Sequence, residues 1–200
     1  MEYVRHFKNL MGGVWVNVKF YKTLPSMTDF DSNEKIRFCQ AIRRGRESPV
    51  LITSEQINCP GAMRSFGWAN HLDTEIIEKM TNKFEISRET ISALLDQTPR
   101  LQGKIQGVVV GGYEKPDVLI SYAQPAMIMR LLRLFQKVTG KNLKVDLSSI
   151  FSVCGNVAVK CFLNNNICLS FGCDDAREYG AFSRDRLVVG VPYDVIQKMM

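Results

Sequence analysis

The sequence predicts an α+β fold in which two similar α/β halves, related by an internal duplication, share a mixed sheet with flanking helices. Three observations support this prediction: strand-like alternation and helical periodicity follow one another along the chain, and a motif around a cysteine occurs twice. The chain has 200 residues, 46% hydrophobic and 23% charged. Such fractions are typical of a folded globular chain. We therefore expect a single compact domain over 1–200, with repeat halves at 10–100 and 101–200.

The first half is predicted to begin with a strand and end with helices. Valines alternate with other residues near the start, and Pro and Asp mark the following loop. SRET at 87–90 is close to a capping box. In order, we expect a strand at 14–20, a helix capped by Ser32 and ended by Gly45, a buried strand at 49–53, a loop over 54–71, and helices at 74–83 and 87–95.

The second half is predicted to begin with a hairpin at 103–122, because GGYEKP between two strand-like runs has turn chemistry. Pro125 then opens the strongest helix, and Gly140 ends it. Its expected apolar face is Ala126, Met127, Leu131, Leu134, Phe135 and Val138. The segment 147–160 suits either a helix or a strand. Strands are expected at 167–171 and 187–191, with a last helix starting near 192.

The repeated motif reads INCPGAMRSFGW from Ile57 and FGCDDAREYGAF from Phe171. Each copy has a cysteine near the exit of a strand, an alanine three residues later, and the order Arg, any residue, aromatic, Gly. Cys59 and Cys173 therefore take equivalent positions. Exposed backbone N–H groups in such a turn could bind a thiolate or sulfide. A single buried cysteine usually packs as a small hydrophobe, and the recurrence favours a site over this interpretation.

Charge and composition exclude several classes of protein. Lys and Arg outnumber Asp and Glu by 26 to 20, and the densest basic run, between Lys35 and Arg46, fits a solvated helix face. We expect no nucleic-acid partner, since no aromatic-interleaved basic strand occurs. No membrane-spanning run or signal-peptide core is present, so we expect a cytoplasmic protein. His6 and His71 lack the spacing of a metal pair, and Asp174 and Asp175 suit a solvated acidic turn.

Several strings resemble the uncharacterised family named domain of unknown function 169. They are SEQINCPGAMRSFGW, EKPDVLISYAQPAMIMRLL, SVCG, and FGCDDAREYG with VVGVP, and the resemblance runs from about residue 10 to 195. By its pattern, Cys59, Cys154 and Cys173 match motif cysteines, and Cys39 matches a cysteine in the preceding helix. Cys161 and Cys168 match nothing in the family and suit core strands. The resemblance implies a protein from bacteria or archaea that live without oxygen. It implies no settled activity.

The four matching cysteines imply thiolate ligation of one metal centre. An iron–sulfur cluster of the 4Fe–4S type usually takes four thiolates, which predicts a redox protein for electron transfer or redox sensing. The expected partner is an electron-transfer protein or a small molecule. Arg64 and Arg177 would lie near the cofactor, with Phe66, Trp68 and Tyr179 lining a pocket beside it. Zinc held by four cysteines is one alternative, although it usually uses closely paired cysteines. A metal-free module that binds a small molecule is the other.

Overall fold

The computed structural model describes residues 2–25, 34–103, 105–112 and 115–200. The predicted N-cap Ser32 lies outside these residues. The helices are Glu2–Met11 (α1), Phe38–Arg44 (α2), Pro60–Ser65 (α3), Thr74–Phe84 (α4), Arg88–Gln97 (α5), Pro125–Thr139 (α6), Lys160–Asn164 (α7), Asp174–Tyr179 (α8) and Tyr193–Met199 (α9), and a π-helix, Cys154–Val159, leads into α7. The strands are Val16–Tyr21 (β1), Val50–Ile52 (β2), Gly107–Val110 (β3), Val118–Ala123 (β4), Cys168–Ser170 (β5) and Leu187–Pro192 (β6).

These six strands form one open sheet in the order β2-β3-β1-β4-β6-β5. Every neighbouring pair among them is antiparallel. The one parallel contact between described residues is an isolated bridge from Ile36 to Ile57, outside the strands. The predicted α+β class with flanking helices is therefore confirmed, and the sheet has antiparallel pairing where we expected a mixed one.

The sheet is symmetric in strand order. Exchanging β1 with β4, β2 with β5 and β3 with β6 gives the same order read from the opposite edge of the sheet. The registers follow the same exchange. Val18 of β1 pairs with Val110 of β3, which pairs with Val50 of β2. Ile120 of β4 pairs with Gly190 of β6, which pairs with Cys168 of β5. An internal duplication would produce this symmetry, and the duplication itself stays a prediction.

The predicted hairpin at 103–122 is wrong, because β1 lies between its two strands. Val18 pairs with Val110 on one side and with Val118 on the other. The chain between β3 and β4 therefore crosses from one side of β1 to the other instead of making a tight turn. Local turn chemistry was present, but the long-range pairing with β1 determined the topology.

Helices cover both faces of the sheet and enclose two separate cores. Along β4, Ile120 and Tyr122 face one core while Leu119 and Ala123 face the other, as the two-residue period of a strand requires. Helices α1, α6 and α9 pack together over the second of these cores. Helices α2, α3, α7 and α8 and the π-helix border the first, and α4 packs on α5 beside them.

Most of the predicted strands and long helices are confirmed, and the helices that were not predicted include α1 and the short α3. Ser87 caps α5 by accepting a hydrogen bond from the Thr90 N–H, and Pro125 opens α6. The loop expected over 54–71 contains α3, and α1 was not predicted. On α6, Ala126 and Val138 are exposed, so part of its predicted apolar face is wrong; the buried residues are Ile128 and Leu131.

The segment left open at 147–160 contains the whole π-helix, Cys154–Val159, and the first residue of α7. Cys161 lies on α7 and not on a strand as expected. Among the described residues, no helix is long and apolar enough to cross a membrane.

Candidate functional site

Four cysteines approach one another on the face of the sheet that α2, α3, α8 and the π-helix cover. Cys39 is the second residue of α2, and Cys154 is the first residue of the π-helix. Cys59 and Cys173 are the N-caps of α3 and α8. Helix α2 packs on α8, and α3 packs on the π-helix. All six cysteines of the chain are free thiols.

The electrostatics of the thiols show that they share one environment. Burial, and then the charges of Cys59 and Cys173, raise the pKa of Cys39 to about 12. Burial and the same two thiols raise the pKa of Cys154 well above its usual value. Burial also raises the pKa of Cys59 and of Cys173. All four are therefore neutral thiols at pH 7, and a metal that binds them must displace their protons.

Cys59 and Cys173 have matching local surroundings. Both have extended backbone at the start of a six-residue helix, with φ of −152° and −94°. Neither thiol makes a capping hydrogen bond, yet the backbone N–H three residues later, of Ala62 and of Ala176, lowers the pKa against the effect of burial. The two copies of the motif thus place a thiol beside the same type of backbone donor.

Close packing of α3 against the π-helix depends on two glycines. A Cβ on Gly61 would lie 2.4 Å from the Phe151 ring, and one on Gly155 would lie 2.9 Å from Ser65 Oγ. Ser65 Oγ also donates a hydrogen bond of 3.9 Å to Cys154 Sγ. Pro60 starts α3 at a position where its missing N–H costs nothing. The small residues beside the cysteines therefore bring the two segments together.

Arg37 and Asp175 form the charged border of the site, and sequence reasoning missed their role. Arg37 Nη1 and Asp175 Oδ2 are 2.5 Å apart, and the guanidinium carbon lies 4.3 Å from the centroid of the Tyr179 ring. The charge of Arg37 lowers the pKa of Cys59, and that of Asp175 raises it. Cys39 Sγ donates to the Asp175 carbonyl at 3.4 Å. The sequence did contain a signal for this pair: a basic run lies beside Cys39 and an acidic turn lies beside Cys173, so the two segments carry opposite charge.

The predicted solvated acidic turn is the first turn of α8. Lys83 Nζ lies 3.0 Å from Asp174 Oδ2 and 4.0 Å from Asp175 Oδ1. Exposed pairs of this kind contribute about 0–1 kcal/mol each. Lys83 therefore offsets part of the negative charge next to Cys173 and contributes little to the stability of the fold.

Arg64 and Arg177 hold the backbone around the two motifs. Arg64 is buried and donates from Nη1 to the Thr98 carbonyl at 3.1 Å. Arg177 donates to the carbonyls of Phe171 and Ser183. In both copies the guanidinium thus bonds to main-chain oxygen, and the guanidinium that acts on Cys59 is that of Arg37.

The aromatic residues expected around a pocket separate into different surroundings. Phe66 is fully buried and packs edge-on against Phe38 and Trp68. Trp68 donates from Nε1 to the Ile105 carbonyl and borders an open groove away from the thiols. Tyr179 is the one of the three expected aromatics that stacks on a residue of the site, through Arg37.

Cys161 and Cys168 form a separate thiol pair. The neighbouring Cys161 side chain lowers the pKa of Cys168, whose Sγ donates to the Asn166 carbonyl at 3.7 Å. Cys161 Sγ would lie 3.3 Å from a Cβ on Gly190, the residue that pairs with Cys168 across β5 and β6. Both thiols are buried in the core, which agrees with a packing role.

In this arrangement, no group of three or more His, Cys, Asp or Glu among the described residues could hold a metal ion. The thiols share an electrostatic environment without forming such a group. Binding a metal here therefore requires either that the segments carrying the cysteines move closer or that the bound group is larger than one ion.

Comparison with known proteins identifies the family and nothing closer. The model of domain of unknown function 169, described as an uncharacterised ArCR family, matches residues 15–200. No curated protein and no solved structure matches the chain. The chain belongs to this uncharacterised family.

Proposed function

We propose that this member of the family is an iron–sulfur protein whose 4Fe–4S cluster is held by Cys39, Cys59, Cys154 and Cys173. The observation that supports the proposal is the shared environment of four free thiols from four separate elements. The first half of the chain contributes Cys39 and Cys59, and the second half contributes Cys154 and Cys173. A redox role, in electron transfer or redox sensing, follows from the chemistry that such a cluster supplies.

The residues fit a cluster in three respects. Thiolates are the soft ligands that iron–sulfur clusters take. The backbone N–H groups of Ala62 and Ala176 favour the ionised form of Cys59 and Cys173. The charge of Arg37 does the same for Cys59. Hydrogen bonds to sulfur and nearby charge are the means by which a protein sets the potential of a cluster.

We prefer a cluster to zinc because no group of side chains among the described residues is arranged to hold a single metal ion. Four thiolates around one zinc ion lie about 3.8 Å apart, from the Zn–S distance and a tetrahedral angle. A four-iron cluster binds its thiolates at its corners and separates them more widely. The absence of a single-ion group among the described side chains is compatible with the wider spacing.

The proposed function also implies a cellular location and a redox partner for the protein. Free thiols persist in reducing compartments, so we propose a cytoplasmic location. We also propose a role in metabolism without oxygen, which the family resemblance suggested. A redox partner protein or a small molecule would exchange electrons at the site, near the partly exposed Cys59 and Cys173.

Anaerobic reconstitution with iron and sulfide tests the proposal. Wild type should become brown and retain about four iron and four sulfide per chain, the composition of the proposed cluster. Cys59→Ser and Cys173→Ser should lose the iron, because each removes one of four thiolates. Cys161→Ser is the matched control, also a buried thiol but outside the site, and should keep full iron content.

Two results would contradict the proposal. Colourless wild type that binds one zinc ion per chain would establish the four-cysteine zinc site. Colourless wild type that binds neither metal, with unchanged behaviour of the serine variants, would establish structural cysteines and leave the metal-free binding module.

A further inference from the structure

The hydroxyl of Tyr122 is buried beside the cysteines and has no hydrogen-bond partner, the only such buried side-chain N or O atom among the described residues. Tyr122 is 5% exposed. A Cβ on Gly180 would lie 3.0 Å from the hydroxyl oxygen and 3.3 Å from the Cβ of Cys39. The hydroxyl thus points into the space between α2 and the C-terminal end of α8. A buried hydroxyl without a partner is destabilising.

The ring of Tyr122 is fixed, so the hydroxyl cannot turn away to find another partner. The ring centroid lies 4.8 Å from that of Phe182. The guanidinium of Arg46 lies 5.2 Å from the ring on a cation–π contact. Arg186 donates to the Tyr122 carbonyl at 3.4 Å, and β1 and β6 flank the strand on both sides. A partner for the hydroxyl must therefore come to it.

The symmetry of the sheet shows that packing alone needs no hydroxyl here. Val18 and Ile120 take corresponding places in the exchange of strands, so two residues later Phe20 corresponds to Tyr122. Phe20 is also buried and packs edge-on against Phe66, in the first copy of the motif. A phenyl ring thus fills the position in one half, and only the second half adds an oxygen, on the side of Cys39.

We propose that the Tyr122 hydroxyl donates a hydrogen bond to a sulfur atom of the group that the four cysteines hold, either a cysteine thiolate or a bridging sulfide. The proposal deepens the proposed function and rests on it. A Cβ on Gly180 would contact both the hydroxyl oxygen and the Cβ of Cys39, which places the acceptor on the side of Cys39. A donor to sulfur stabilises the more negative, reduced form and raises the reduction potential. Tyr122 therefore adjusts the reduction potential of the bound group by direct contact.

Tyr122→Phe tests the assignment through opposite effects in two states of the protein. Without cofactor, the variant removes an unsatisfied hydroxyl, so its melting temperature should rise by roughly 2–4 °C. With cofactor, it removes a hydrogen bond, so this gain should disappear or reverse. The reduction potential of the loaded variant should fall while its iron content matches wild type.

Tyr193→Phe is the matched control. Tyr193 is buried in the other core, under α1 and α6, with Lys115 over its ring. Its variant should shift the melting temperature equally with and without cofactor and leave the potential unchanged. A lower melting temperature of cofactor-free Tyr122→Phe would overturn the proposal, since the hydroxyl would then have a partner already.

Failure of this proposal is distinguishable from failure of the proposed function. If wild type loads iron and Tyr122→Phe changes stability equally in both states without a change in potential, the hydrogen bond is refuted and the iron–sulfur function stands. If wild type loads no iron under reducing, anaerobic conditions, the proposed function fails and this assignment fails with it.

Discussion

We expect the cofactor-free protein to lose stability at alkaline pH, and we expect Cys39→Ala to lose less of it than wild type does. Burial, and then the charges of Cys59 and Cys173, raise the pKa of Cys39 from 9.0 to about 12. The folded state therefore holds this proton more tightly than the unfolded chain does. The resulting stabilisation is complete below pH 9 and is lost as the pH rises toward 12.

The size of the effect follows from the two pKa values. For a thiol with a pKa of 9.0 when unfolded and about 12 when folded, linkage lowers the free energy of unfolding by about 1.4 kcal/mol between pH 8 and pH 10. Cys39→Ala cannot ionise, so this part of the pH dependence disappears. The cavity that alanine leaves lowers stability by the same amount at every pH. The slope against pH therefore isolates the thiol.

Urea unfolding of reduced, cofactor-free protein at pH 8, 9 and 10 measures this slope under argon. Ile42→Val is the matched control, because Ile42 is buried on the same helix and does not titrate. It should lower the free energy of unfolding by about 1 kcal/mol and leave the slope of wild type intact. If the curves for wild type and Cys39→Ala remain parallel, Cys39 does not share a desolvated environment with the other thiols.

Three further changes test the electrostatics, the packing and the cofactor. Arg37→Met should slow the alkylation of Cys59 at pH 8 several-fold, because losing the guanidinium raises the pKa of that thiol; peptide mass spectrometry measures it, and an equal effect of Arg46→Met would show that the change is not local. Gly61→Ala should lower the free energy of unfolding by about 1–3 kcal/mol, since its Cβ would meet the Phe151 ring at 2.4 Å; an unchanged urea midpoint would contradict this. Air should bleach the loaded protein and lower its melting temperature in calorimetry, because ligands from both halves couple cofactor binding to folding; an unchanged melting temperature would argue against a shared metal site.

The sequence was most informative where local signals and long-range packing agree. Helix α6 has Pro125 at its start and Gly140 at its end, and its bounds were predicted within one residue. SRET at 87–90 was interpreted as close to a capping box, and Ser87 caps α5. The two motif cysteines were expected at equivalent places, and both are N-caps of short helices.

Other features depend on contacts that no local pattern contains. The turn signals at 111–116 were consistent with a hairpin, and only the pairing of β1 with both β3 and β4 excludes it. Helices α3 and α8 have six residues each, too few for a helical period to emerge. Arg37 was read as part of a solvated face because its partner, Asp175, lies 138 residues away along the chain.

The net charge around the thiols depends on residues that differ between the two copies of the motif. The first copy of the motif follows its cysteine with Pro60 and Gly61, whereas the second has Asp174 and Asp175. Arg37 and Lys83 pair with these carboxylates, so the border supplies two positive and two negative charges that largely cancel. Little net positive charge then remains for the buried thiols. Under the proposed function, the thiols keep their protons until a cationic group replaces them, and assembly should release protons and become tighter as the pH rises. Proton release during anaerobic reconstitution, measured in weakly buffered solution, should therefore accompany iron uptake in wild type and decrease in Cys39→Ala; equal release by both proteins would show that Cys39 is not a ligand.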